Sequence, residues 1–210
     1  MFKQSYLVCS AGLLLAIAAC DHSTGLSGGI SQADANQLAA DMDAVSTLGT
    51  SDFGLGASFS LSTGGSGSAT SVVAVPITIN NRFSVSKQCP QGGQVVIAGT
   101  TTGTGDRATH SLTLETNATR TDTDCAFQTR DGVLTLNGNI AYKGNLNIVN
   151  GALSGPQTQT HKGSFSWARV GGSGSCDVDI TSSFDPATHT VTVTGSFCRH
   201  TVNVTRTRGG

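Results

Sequence analysis

The residues of this chain best suited to chemistry are its six cysteines: Cys9, Cys20, Cys89, Cys125, Cys176 and Cys198. A thiol can hold a metal, act as a nucleophile, accept a lipid or form a bridge. Zinc is the weak reading, because no Cys-x-x-Cys pair occurs and the spacings are long. In an exported chain the last four, an even number, read as two disulfides. Four cysteines allow three connectivities, and strand register can choose among them. A turn at Asp185-Pro186-Ala187-Thr188 sets Val178 opposite Gly195, Ile180 opposite Val193 and Ser182 opposite Val191. Cys176 then faces Phe197, one residue from Cys198, and a bulge near Gly195 would join the sulfurs. A similar count around Asp106-Arg107 brings Cys89 within one residue of Cys125. The expected bridges are Cys89–Cys125 and Cys176–Cys198.

Other reactive groups are scattered. His22, His110, His161, His189 and His200 never fall at ligand spacing, and each reads as an exposed strand or turn residue. Asp122 and Asp124 share one face of an extended segment, as do Asp177 and Asp179, but no EF-hand-like loop accompanies them. Both pairs read as solvated aspartates. Serines are abundant, yet no Gly-x-Ser-x-Gly elbow sits between a strand and a helix. No catalytic, metal or cofactor residues are expected, and no cofactor.

The amino terminus carries a different signal. Lys3 precedes an uncharged, largely apolar run from Tyr6 to Ala19, short of the roughly 20 residues a membrane-spanning helix needs. The run ends in Ile17-Ala18-Ala19-Cys20. Small residues admit a protease to the backbone, and a thiol can accept a diacylglyceryl group. This stretch resembles the lipobox of bacterial lipoproteins. The resemblance covers only the first tenth of the chain. It implies a signal peptide over residues 1–19, a membrane anchor on Cys20 and a domain facing the periplasm or cell surface. Several acyl chains would hold firmly, since each buried methylene contributes about 0.8 kcal/mol. Asp21 resembles an inner-membrane retention signal, but that rule varies between bacterial groups and leaves the inner and outer membranes both open.

The elements around these residues read as mostly β. Charged residues make up only 12% and the net charge is −1, so no basic field exists to hold nucleic acid. Gly is frequent at 27, Pro rare at 4, and Thr plentiful, which favours pleated strands joined by tight turns. Residues 20–30, the lipidated Cys and a small polar stretch, read as a tether. Within 31–48, Ser31 caps a helix over about Gln32–Thr47 whose stripe is Ala35, Leu38, Met42 and Val45. Residues 52–208 read as an antiparallel meander of short strands, with a loop at Gly64–Ser68, turns at Asn80-Asn81, Asp131-Gly132 and Lys143-Gly144, and a loop at Gly171–Gly174. The fold class is mainly β: a curved sheet, barrel or sandwich with one N-terminal helix. With aromatics at 5%, the interfacial girdles of a membrane barrel would be thin.

The function expected from all this is a membrane-anchored envelope lipoprotein with a non-enzymatic binding or structural domain. Its partners would be the membrane, through lipid on Cys20, and a lipid or envelope protein. A carrier of lipid or another hydrophobic ligand is an alternative by analogy of shape. A hydrolase of envelope polymers is a second, and would require a pocket joining His161 or His200 to an aspartate.

Overall fold

The computed structural model describes residues 29–48, 52–53 and 76–207. The lipobox stretch, Cys20, the tether through residue 28, the Gly64–Ser68 loop and residues 71–75 of the first expected strand lie outside them. The helix α1 spans Gln32–Ser46. Ser31 caps it, its side chain accepting from the Asp34 amide at 3.1 Å. Ala35, Leu38, Ala39 and Met42 are fully buried, and Val45 packs half-buried at the margin.

Among the described residues nine strands follow: β1 (Pro76–Gln88), β2 (Gln94–Asp106), β3 (Ser111–Thr129), β4 (Gly132–Val149), β5 (Ala152–Leu153), β6 (Gln157–Arg169), β7 (Gly172–Asp185), β8 (Thr190–Phe197) and β9 (His200–Thr207). They form one antiparallel sheet in the order β1-β2-β3-β4-β6-β7-β8-β9, with β5 paired to β4. Among the described residues β1 and β9 remain edges, so the meander is not a closed barrel. Helix α1 touches β2 and β3 on one side and β8 and β9 on the other, so the sheet curls around it.

The strands are longer and fewer than expected. Asn80 and Asn81 sit inside β1, paired with Thr102 and Thr101, and make no turn. Lys143 and Gly144 likewise sit inside β4. A turn-forming residue stays extended when a neighbouring strand pairs with its backbone. The β3–β4 turn falls at Arg130-Asp131, one residue before the expected site, and β7 already begins at Gly172. Gly29 and Ile30 are docked rather than loose. The Gly29 carbonyl accepts from Arg169 Nη2 at 2.8 Å, and buried Ile30 offers its carbonyl to His200 Nε2 at 2.7 Å.

Alternation divides the sheet into two faces. The concave face carries Ile97, Leu136, Ile140, Ile180, Val193 and Phe197 against the helix, with Phe165 and Phe197 rings 5.2 Å apart. The convex face is exposed Thr, Asn and Ser, including Thr100, Thr113, Asn117, Asn139, Thr194 and Thr205. Two features set the register. A bulge between Asp122 and Cys125 opposes Thr123 and Asp124 to Asn137 alone, and the Asn137 side chain clasps Asp124 through bonds of 2.8 and 3.0 Å. It returns Cys125 to the concave face. The β7–β8 loop is four residues, 186–189, because the Asp185 carboxylate accepts from the Ala187 amide and Thr188 hydroxyl. The pairing therefore runs Val178↔Phe197, Ile180↔Gly195 and Ser182↔Val193, two residues from the expected register but with the same faces inward.

Leu38 touches the sheet from the middle of the helix and is wholly buried. Leu38→Ala is expected to cost about 2–5 kcal/mol. In urea titration the midpoint should fall with the slope unchanged; an unchanged midpoint would mean the helix is not part of the core.

Candidate functional site

The polar chemistry of the molecule lies where α1 meets the concave face. The helix carries no basic residue in its last turn, so the sheet provides the cations its C-terminal carbonyls favour. Arg120 of β3 is fully buried. Its Nε and Nη2 donate to the Asp122 carboxylate at 2.6–3.2 Å, and Nη1 donates to the Met42 carbonyl at 3.0 Å and to the Ser46 hydroxyl. Arg206 of β9 donates to the Ala40 carbonyl and to Asp43, at 3.3 Å for the carboxylate. Lys87 of β1 donates to the Thr47 carbonyl. At the other end, buried Asp34 accepts from the Arg130 amide at 3.3 Å and from Arg169 at 3.4 Å. Arg169 also stacks over Trp167 at 5.6 Å. These groups are the joints that hold helix to sheet.

A serine and an aspartate, Ser182 and Asp43, meet here, and a histidine, His161, faces the same interior from β6. Their bonding is not that of a nucleophilic relay. Ser182 donates directly to Asp43, and neither ring nitrogen of His161 has a hydrogen-bond partner among the described residues. His161 is fully buried on β6 between its cross-strand neighbours Tyr142 and Ile180, with the Tyr142 ring 5.3 Å away. Burial, and then the charge of Arg120, push its pKa down to about 3. Tyr142 donates to Gln159 at 3.1 Å; burial, reinforced by Asp43 and Asp52, holds its pKa above the ordinary tyrosine value.

Several expectations are corrected at this point. His161 is buried, not exposed, while His110 and His189 are exposed and His200 is half-buried. His22 lies outside the described residues. Asp122 and Asp124 do not share a face, because the bulge intervenes; Asp122 is buried on Arg120 and Asp124 is exposed. Asp177 and Asp179 are exposed as expected, and Asp179 pairs with Lys162 at 2.6 Å. Sequence reasoning missed Arg120, Asp34, Asp43 and Ser182. The signal for Arg120 was parity: it stands between Ala118 and Asp122 on the side of β3 that turns inward.

Both bridges form between the expected partners. Cys89–Cys125 spans 5.3 Å and Cys176–Cys198 spans 4.7 Å between Cα atoms. The routes differ from the expected ones. Cys89 sits where β1 turns into β2, and this turn folds onto β3 beyond the bulge through Gln91 and Gly92 bonds to Ala126. Cys198 sits in the two-residue β8–β9 turn, and no bulge at Gly195 is needed. A groove of about 550 Å³ opens beside this second bridge, lined by Gly29, Trp167, Asp177, Arg199 and His200 among others. It brings His200 near Asp177, but His200 Nε2 is engaged by Ile30 and does not bond the carboxylate. Among the described residues no group of three His, Cys, Asp or Glu could hold a metal ion.

Fold and site together define an open, disulfide-braced antiparallel meander curled around one helix. Two disulfides point to an oxidising, extracytoplasmic compartment. Among the described residues no helix is long and apolar enough to cross a membrane. No protein-family model, curated protein or solved structure matches the chain.

Two outcomes test this site. Arg120→Leu leaves Asp122 buried without a counter-charge and should cost about 3–5 kcal/mol. The double variant Arg120→Leu/Asp122→Leu should recover much of that loss in urea titration; a double variant as weak as the single would assign the cost to the lost helix bonds instead. His161 has a folded pKa of about 3 against an ordinary 6.5, so the unfolded chain binds its proton first. Stability is therefore complete above pH 6.5 and is lost toward pH 3, with a His161 contribution of about 1.4 kcal/mol per pH unit inside that window. His161→Leu should flatten the profile there, and an unaltered slope would refute the assignment.

Proposed function

We propose that this chain is a bacterial envelope lipoprotein, held to a membrane by lipid on Cys20, whose β domain has a binding or structural role. The lipobox-like stretch Ile17-Ala18-Ala19-Cys20 supports the anchor, and the two disulfides agree with the compartment such an anchor would serve. The observation that carries the role of the domain is the helix on the concave face. A carrier of lipid or another hydrophobic molecule would keep that face for its ligand. Here α1 occupies much of it with Ala35, Leu38, Ala39 and Met42, and Phe53 packs over Ile79, Leu112, Leu114 and Ile148 beside it. A hydrolase would use an imidazole within reach of a nucleophile or a carboxylate. The bonds of Ser182, Asp43 and His200 run to other partners, which favours the non-enzymatic reading.

The full chain expressed in a bacterium tests the anchor. Protein extracted from membranes should begin at Cys20 and have the mass of an acylated chain with both disulfides intact. Cys20→Ala should move the protein to a soluble extracytoplasmic fraction without loss of either bridge. An unacylated Cys20 in the membrane-extracted protein would refute the proposal.

A further inference from the structure

The two disulfides sit in unlike surroundings. Cys89 and Cys125 are buried, 6% and 0% exposed, with the β1–β2 turn bonded across them. Cys176 and Cys198 are half-buried and both line the open groove of about 550 Å³. Thiol–disulfide exchange needs access to a sulfur and a leaving thiolate that its neighbours stabilise. The groove provides the access. Arg199 follows Cys198 in the chain, whereas Asp177 follows Cys176, so the guanidinium favours Cys198 as the leaving sulfur.

The backbone at Cys198 adds a reason for the bond to matter. Cys198 and Arg199 form the β8–β9 turn, and both hold left-handed backbone, with φ of 51° and 69°. Such a turn suits Asn and Gly, and a Cys-Arg pair adopts it at a steric cost that surrounding bonds must hold. The disulfide is one of those bonds, and the Cys198 amide donating to the Asp177 carbonyl at 2.9 Å is another. The strand that leaves this turn fastens the start of the domain. His200 bonds the Ile30 carbonyl, and the Thr201 carbonyl accepts from Gln32 at 2.8 Å.

We propose that Cys176–Cys198 is a site of thiol–disulfide exchange with a dithiol, and that its reduction frees the β8–β9 turn. A thiolate of the dithiol bonds to Cys176 Sγ, the Cys176–Cys198 bond breaks, and Cys198 leaves as a thiolate and takes a proton from solvent. The second thiolate of the dithiol then bonds to the first across the mixed disulfide, and Cys176 leaves and is protonated. The protein disulfide gains two electrons and the dithiol becomes a disulfide. The reduced turn is released beside Gly29–Ile30, where the chain enters the domain. This inference rests on the groove and the turn, not on the anchor at Cys20, so either can fail without the other.

The test uses the oxidised full chain and dithiothreitol as the dithiol, with alkylation of freed thiols and peptide mass analysis. Cys176 and Cys198 should become alkylated at least about tenfold faster than Cys89 and Cys125, as expected for exchange controlled by access. Equal rates, or earlier alkylation of Cys89 and Cys125, would overturn the exchange site. Trypsin gives the second reading. Cleavage after Arg199 should be slow in the oxidised protein and at least about tenfold faster once Cys176–Cys198 is open, because a released turn becomes a protease site. The variant Cys176→Ser/Cys198→Ser, with Cys89–Cys125 intact, should be cleaved at the fast rate without any reductant. Cleavage that is indifferent to both treatments would overturn the release of the turn.

Discussion

The structure depends on how a helix without cations near its C-terminal end is fastened inside a β-sheet. Arg120 is the fastening. It is fully buried, so its charge must be answered within the molecule, and its planar fork answers it twice: toward Asp122 on its own strand and toward Met42 and Ser46 on the helix. A carboxylate alone would satisfy one side of the guanidinium and leave the other to be desolvated without partners. The helix, for its part, ends in carbonyls that favour a positive charge. Each element is therefore poorly solvated without the other, which ties helix docking to the register of β3. Arg206 and Lys87 repeat the arrangement from β9 and β1, near the two edges of the sheet.

This arrangement also explains the curl. A nine-stranded sheet that offers an apolar face must cover it, and among the described residues the cover is the 15-residue helix together with Leu48 and Phe53, which pack over Ile79, Leu112, Leu114 and Ile148. To meet that helix from β2 and β3 on one side and β8 and β9 on the other, the sheet must bend rather than lie flat. The bulge at Thr123-Asp124 and the glycine at 195 serve the bend. Gly195 has a φ of 129°, and a Cβ there would stand 2.2 Å from the Asp179 carbonyl oxygen, so the close approach of β7 and β8 requires glycine. The disulfides brace the two hairpins nearest the edges, one buried and one beside an open groove.

Much of the fold was legible in particular residues. Ser31 and the three- and four-residue steps of Ala35, Leu38 and Met42 announced the helix, and Thr/Val alternation assigned most faces correctly. Alternation could not fix strand ends, because Asn80-Asn81 and Lys143-Gly144 resemble turns until a neighbouring strand holds them extended. It could not fix the β7–β8 register either, since a shift of two residues keeps the same faces inward. The polar joints were less legible still. Asp122 and His161 are residue types that usually stand in water; Asp122 is buried through Arg120, whose other partners lie on the distant helix, and His161 between strands paired from elsewhere in the chain.

The sequence by itself determined the mainly β class, the helix with its cap, the inward faces and the two cysteine pairs. These follow from short-range periodicity, capping chemistry and the even cysteine set, which act within a few residues or a few neighbouring strands. Only the tertiary structure decided that the sheet stays open among the described residues, that α1 docks on its concave face and that Arg120 joins the two. It also decided which bridge lies in the core and which beside a groove. Those outcomes rest on contacts such as Arg120 to Met42 and His200 to Ile30, between residues 78 and 170 positions apart. No local pattern encodes such pairs, because burial and charge are settled only when the chain has closed on itself.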